Sequence, residues 1–105
     1  PADVLILPMT ADLAPAVTLA TRLRAAGIRT QLYTEQKKFK AKMNYADKLG
    51  VPYVVFLGDD EIAGNMVACK DMTSGEQTTL PFDETLALIQ SGLARRNEGA
   101  VILEK

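Results

Sequence analysis

The stretch Pro52-Tyr53-Val54-Val55-Phe56-Leu57-Gly58 places five apolar or β-favouring residues between two chain-breaking ones. Apolar character at every position, rather than every second one, suits a strand covered on both faces. This segment is therefore expected at the centre of a sheet. Upstream, Val4-Leu5-Ile6-Leu7 closed by Pro8 repeats the pattern, while residues 28–33 form a shorter, more polar strand suited to a place near the sheet edge. Between those two strands, Thr10 and Asp12 offer N-cap oxygens and Pro15 is tolerated in a first turn. Leu13, Val17, Ala20 and Leu23 then recur at spacings of four and three, with Gly27 as the stop. A second helix is predicted over residues 36–49, its inner face made of Phe39, Met43, Ala46 and Leu49 and its end marked by Gly50 and Pro52. Strand, helix, strand, helix, strand implies right-handed crossovers and a parallel core with helices on its faces.

Downstream the pattern changes. Residues 62–71 and 77–80 read as two strands joined by the turn-forming Met72-Thr73-Ser74-Gly75-Glu76, which makes an antiparallel hairpin. A last helix begins at Thr79 or Asp83, turns Phe82, Leu86 and Ile89 inward and ends at Gly92. Beyond it, Arg95-Arg96-Asn97-Glu98-Gly99 has the composition of a flexible connection, and Ala100-Val101-Ile102-Leu103 offers an added edge strand.

The chain has 105 residues, 48% hydrophobic and 24% charged, which suits one domain. No run reaches the roughly 18 consecutive apolar residues of a membrane span, and no signal peptide is evident, so the chain is expected to be soluble and cytoplasmic. It begins with Pro1 rather than Met, as expected of a chain processed or cut from something longer. A single cysteine, Cys69, and no histidine leave no internal disulfide, no multi-cysteine zinc site and no conventional hydrolytic triad. Cys69 is expected to pack in the core. The net charge of −1 conceals a division: residues 1–58 carry +4 and residues 59–105 carry −5.

Much of the positive half lies in Lys37-Lys38-Phe39-Lys40-Ala41-Lys42-Met43-Asn44-Tyr45. On a helix, Lys38 and Lys42 stand one turn apart, beside a row of Lys37, Lys40, Asn44 and Lys48. Two readings stay open for this face. It is either a phosphate-facing surface with Tyr33, Tyr45 or Phe39 near unstacked bases, or a solvated outer face over a buried Phe39. The loops at the carboxyl ends of the parallel strands, Pro8-Met9-Thr10, Thr34-Glu35-Gln36 and Gly58-Asp59-Asp60-Glu61, are a second candidate site. Leu7-Pro8-Met9-Thr10-Ala11-Asp12 contains no glycine, which argues against a dinucleotide or P-loop site. Asp59, Asp60 and Glu61 are expected as turn and cap residues in preference to a magnesium site. A binding module is the class favoured over an enzyme.

The string Tyr45-Ala46-Asp47-Lys48-Leu49-Gly50-Val51-Pro52-Tyr53-Val54-Val55-Phe56-Leu57-Gly58-Asp59-Asp60-Glu61 is followed by Val67-Ala68-Cys69-Lys70-Asp71-Met72-Thr73-Ser74-Gly75-Glu76-Gln77. Together they closely resemble the C-terminal anticodon-binding domain of bacterial histidyl-tRNA synthetases. Leu19-Ala20-Thr21-Arg22-Leu23-Arg24-Ala25-Ala26-Gly27-Ile28 resembles that family's first helix and the start of its second strand. The likeness runs over residues 3–92, and related domains of threonyl-, prolyl- and glycyl-tRNA synthetases are similar. It implies an α/β domain over residues 1–92, a three-layer α/β/α arrangement with a five-stranded mixed sheet and three flanking helices, followed by a tail at 93–105.

The resemblance also implies recognition of a tRNA anticodon stem and loop, with tRNA-His as the partner. Carried over position by position, the RNA-binding residues are Thr34, Glu35, Gln36, Lys37, Lys38, Glu61 and Lys70, to which the lysine-rich helix face adds Lys42. The family's catalytic motifs are missing from these residues, so no aminoacylation is expected of the chain alone and no cofactor within it. ATP and magnesium are expected only in the catalytic part of a parent ligase, itself expected to be a homodimer. Where the family often has a glycine-serine-lysine or glycine-arginine pattern, this chain has Glu35-Gln36-Lys37-Lys38. A free-standing regulatory or interaction domain of the same fold is the alternative.

Overall fold

The computed structural model describes residues 2–104, with side chains as far as Asn97. The elements run β1 (Val4–Pro8), α1 (Ala14–Ala25), β2 (Thr30–Leu32), α2 (Phe39–Leu49), β3 (Tyr53–Leu57), α3 (Asp59–Ala63), β4 (Met66–Asp71), β5 (Gln77–Pro81) and α4 (Phe82–Glu104). They build one five-stranded sheet in the order β2-β1-β3-β4-β5. β1 is parallel to both β2 and β3, and β4 and β5 add antiparallel to β3. The expected mixed sheet is present, with β3 at its centre and β2 at an edge.

Every residue of β1 and of β3 is buried, as their unbroken apolar runs require. Their side chains alternate between two cores. Val4, Ile6, Tyr53, Val55 and Leu57 meet α1 and α4, together with Leu19, Leu23, Cys69 and Ile89. Leu5, Leu7, Val54, Phe56 and Ala68 face the other way, toward Tyr33, Ala46 and Val51. At the opposite ends of the parallel strands from the candidate loops, Arg29 pairs with Asp3 at 2.9 Å and holds its carboxyl below the ordinary value.

Several elements differ from expectation. α1 buries Ala16, Leu19, Ala20 and Leu23, whereas Val17 is half exposed, because the inner stripe is centred one position from the expected one. α2 begins at Phe39 instead of Gln36, and residues 34–38 approach it outside any helix or strand. Gly50 closes α2 at φ 69°, the left-handed conformation that a glycine cap supplies without strain. The first arm of the hairpin starts at Met66, since Ile62 lies in the short α3 and Asn65 turns the chain at φ 53°. Asp71 Oδ1 accepts from the amides of Thr73 and Ser74 and so fixes the hairpin turn.

The last helix begins at Phe82, with Thr79 inside β5, and it does not end at Gly92. α4 runs on to Glu104, so the residues expected as a flexible tail with an edge strand are helical as far as described. A Cβ on residue 92 would stand 1.7 Å from the Tyr53 hydroxyl oxygen. Glycine is therefore present here to let the helix pass over Tyr53, and its usual role as a terminator does not apply. Arg96, beyond that point, donates to Thr73 Oγ1 at 3.2 Å and ties the extension to the hairpin turn. The sheet thus has three helices on its faces, as expected, and a fourth, α3, at the end of β3.

Candidate nucleic-acid interface

The strand order reverses direction at β1: the chain goes to β2 on one side and returns to β3 on the other. Such a switch leaves an opening at the carboxyl ends of the strands where side chains from separate loops meet. Here that end of the sheet carries Met9, whose amide donates to Leu57 O at 2.9 Å, the segment after β2, and Gly58 at the end of β3. Met9 is 40% exposed.

Residues 34–38, which include the expected contacts Thr34, Glu35, Gln36, Lys37 and Lys38, form one exposed ridge between β2 and α2. Glu35 takes a weak bond from Tyr33 Oη at 3.5 Å and pairs with Lys37 at 3.5 Å. Both partners of that pair are open to solvent, so it constrains them little. Lys38 N-caps α2 in an extended conformation with no side chain closing the helix start. The free amides of that first turn add a partial positive charge to the lysines around them. Lys40, Asn44 and Lys48 are exposed along the outside of α2, so three members of the expected row share that face, while Lys37 lies outside the helix, which starts only at Phe39.

Lys42, expected one turn from Lys38 on the same cationic face, departs from it. It is buried, and its ammonium donates to the carbonyl oxygen of Pro8 at 2.7 Å, 6.0 Å from the centre of the Tyr33 ring. The expected placement of Lys42 on the outer cationic face is therefore corrected: it faces the sheet, with its alkyl stem in the core and its charge at the switch point. Phe39 shows the opposite departure. It was one of the expected inward residues, yet it is 50% exposed and rests on Phe56 with ring centres 5.8 Å apart. Leu49, at the far end of α2, is also exposed.

Glu61 and Lys70 take separate positions. The Glu61 carboxylate accepts from the Gly58 amide at 2.8 Å, which caps α3 and gives the acidic triplet a local structural role at that residue. Glu61 lies beside Arg22, Ile62 and Phe82 in a hollow on the α1 side of the sheet. Lys70 is opposite Val54 on β3 and Gln77 on β5, so strand alternation puts it on the α2 side with Phe56 and Ala68. On that same side Gln77, Thr79 and Pro81 are exposed, leaving the β4–β5 part of the sheet uncovered. The structure thus groups residues 34–38 with the start of α2, places Lys70 on the same face of the sheet, and puts Glu61 on the other. Met9 falls in one of the expected loops, whereas the uncovered sheet face was not anticipated as a site feature; the alternation of Gln77, Thr79 and Pro81 with Thr78 and Leu80 is the pattern that carries it.

Residues 3–92 match the family described as the anticodon binding domain. The histidine–tRNA ligase of Clostridium tetani is 33% identical over 87 residues, which cover 83% of this chain and 20% of that protein. That of Finegoldia magna is 38% identical over 84 residues, 80% of this chain and 20% of the relative. The chain therefore spans about a fifth of the length of the curated relatives it matches. Among solved structures, histidyl-tRNA synthetase from Nostoc sp. PCC 7120 superposes with a TM-score of 0.82 at 30% identity, covering 89% of this chain and 23% of that one. The RNA binding domain of threonyl-tRNA synthetase from Cryptosporidium parvum superposes at 0.79 over 87% of this chain and 23% of that one, and at 17% identity it shares the fold.

Proposed function

We propose a function from one premise: the chain belongs to the anticodon-binding domain family. It binds the anticodon stem and loop of a tRNA, that of tRNA-His, as the recognition part of a histidine–tRNA ligase. The observation that carries this proposal is the exposed ridge at residues 34–38, which enters α2 beside exposed Lys40 and half-exposed Phe39. Loop bases are unpaired and splayed, so they present both polar edges and flat faces. Gln36 supplies a donor and an acceptor for a base edge, while Lys37, Lys38 and Lys40 supply positive charge for the phosphates on either side.

We extend the proposal to a parent ligase. The ligase works as a homodimer in the cytoplasm, and ATP and magnesium serve its activation chemistry at a centre outside these residues. For this chain itself, no helix among the described residues is long and apolar enough to cross a membrane.

The test is titration of the 105-residue chain with anticodon stem–loop RNAs of tRNA-His and of an unrelated tRNA across a range of salt. Tighter binding to the first is expected, weakening as salt rises. Lys37→Ala and Lys38→Ala should each reduce the salt slope by about 0.7, the value for one single-strand phosphate contact. Equal affinity for both RNAs would defeat specific recognition and favour an interaction domain that kept only the fold.

A further inference from the structure

We infer that Phe39 is a stacking platform for one unpaired base of the bound RNA loop, an assignment that rests on the RNA-binding function proposed above and narrows it to a single ring. Three aromatic side chains stand near the lysines, and the structure separates them. Tyr33 is 7% exposed and has no open face to offer. Tyr45 is partly exposed, but its ring packs edge-on against Tyr33 at 5.3 Å and its hydroxyl accepts from Gln31 Nε2, so it is held on two sides. Phe39 has no polar atom to bond and leaves half its surface in water.

The support under Phe39 is firm. Its ring leans at 32° on Phe56, a buried residue of the central strand, so the platform is fixed from below while its outer part stays open. An apolar ring left half in water forgoes stabilisation that burial would bring, and it stands at the first residue of α2 between two exposed lysines. That combination fits an unpaired nucleobase: a flat apolar face to cover the ring and phosphates on both sides of it to meet Lys38 and Lys40. Bases within a duplex hide their faces, so the ligand is single-stranded at this point.

The experiment uses the full chain and anticodon stem–loops carrying 2-aminopurine at one loop position at a time, since its fluorescence falls when it stacks. For at least one loop position, binding should quench the probe. Phe39→Leu keeps an apolar contact on Phe56 but has no aromatic face; it should abolish the quenching and weaken binding by about 5- to 150-fold, the cost of one lost base–aromatic stack. Phe39→Trp should retain both quenching and affinity. Thermal unfolding of each variant separates a folding defect from a binding one. If the folded Phe39→Leu protein binds and quenches as the wild type does, while Lys38→Ala still weakens binding, the stacking assignment falls and the RNA-binding proposal stands. If the wild type binds neither stem–loop even at low salt, both fall together.

Discussion

The two faces of the sheet are built from alternate residues of the same strands, yet they end in different states. On one, α1 and α4 lie side by side and close over Val4, Ile6, Val55 and Cys69. On the other, α2 covers Leu5, Leu7 and Val54, while Gln77, Thr79 and Pro81 at the β5 end stay exposed, as do Phe39 and Leu49 at the ends of α2 itself. Two helices seal a five-stranded sheet and one does not. The closed face supplies stability; the open face leaves aromatic and cationic side chains free to meet a ligand. Arg22 illustrates the contrast, since on the closed side its guanidinium lies 3.6 Å from the centre of the Phe82 ring, whereas Lys38 and Lys40 on the open side reach into solvent.

The sharpest consequence of closure concerns Cys69. Burial, with the charge of Asp71 adding to it, pushes its thiol up to about 12. In an unfolded chain the thiol ionises at about 8.5, so the folded state holds its proton over a window in which the unfolded state has lost it. The contribution to stability is fully present below that value and is lost as pH rises toward 12. At pH 8 in native buffer, an aromatic disulfide reagent should label Cys69 at least about a hundredfold more slowly than in denaturing urea, because labelling needs an opening of the fold. Comparable rates in the two conditions would show that the face is not closed.

A smaller effect is expected where α4 crosses Tyr53. In Gly92→Ala the new Cβ would lie 1.7 Å from the tyrosine oxygen and 2.8 Å from Cζ, so a buried ring must move. Overpacking of this kind costs about 1–3 kcal/mol, read as a lower urea midpoint with the slope unchanged. Tyr53→Phe in the same chain removes the oxygen and should recover part of the loss. Full stability in the single variant would mean that α4 rides more loosely on the sheet than the contact implies.

Much of this architecture was legible because apolar runs report burial directly. Residues 4–7 and 53–57 have no polar position to place outside, so they belong in the middle of a covered sheet, and the turn residues after Asp71 leave the chain little choice but a hairpin. Helix faces were less legible. A spacing of three and four says that a stripe exists, but not how far the helix overhangs the sheet. On α2 only the middle turn reaches fully inside, so Ala46 and the stem of Lys42 are buried while Phe39 and Leu49 at its ends are not. Gly92 misled for another reason: its meaning lies in Tyr53, 39 positions earlier in the chain, and no local pattern carries that contact. At the candidate site the ridge at residues 34–38 could be read from its charge and from the family resemblance, whereas the inward turn of Lys42 depends on a backbone carbonyl at Pro8 that every sequence would supply.

Lys42 also offers the most discriminating test of the boundary between the two kinds of surface. It sits on the same helix as the exposed lysines, but its ammonium is spent on Pro8 O inside the fold. Lys42→Met keeps most of the stem's apolar contacts and removes the donor, leaving a carbonyl at the switch point without that bond. The expected cost is about 1–3 kcal/mol of stability, that of leaving a buried carbonyl without its donor. RNA binding should respond differently: the salt slope of Lys42→Met should match the wild type, whereas Lys38→Ala lowers it by about 0.7. If Lys42→Met lowers the slope by the same amount and leaves the urea midpoint unmoved, the ammonium leaves Pro8 to meet a phosphate. The open face would then extend beneath α2, and the division between structural and exposed lysines would move inward by one helical turn.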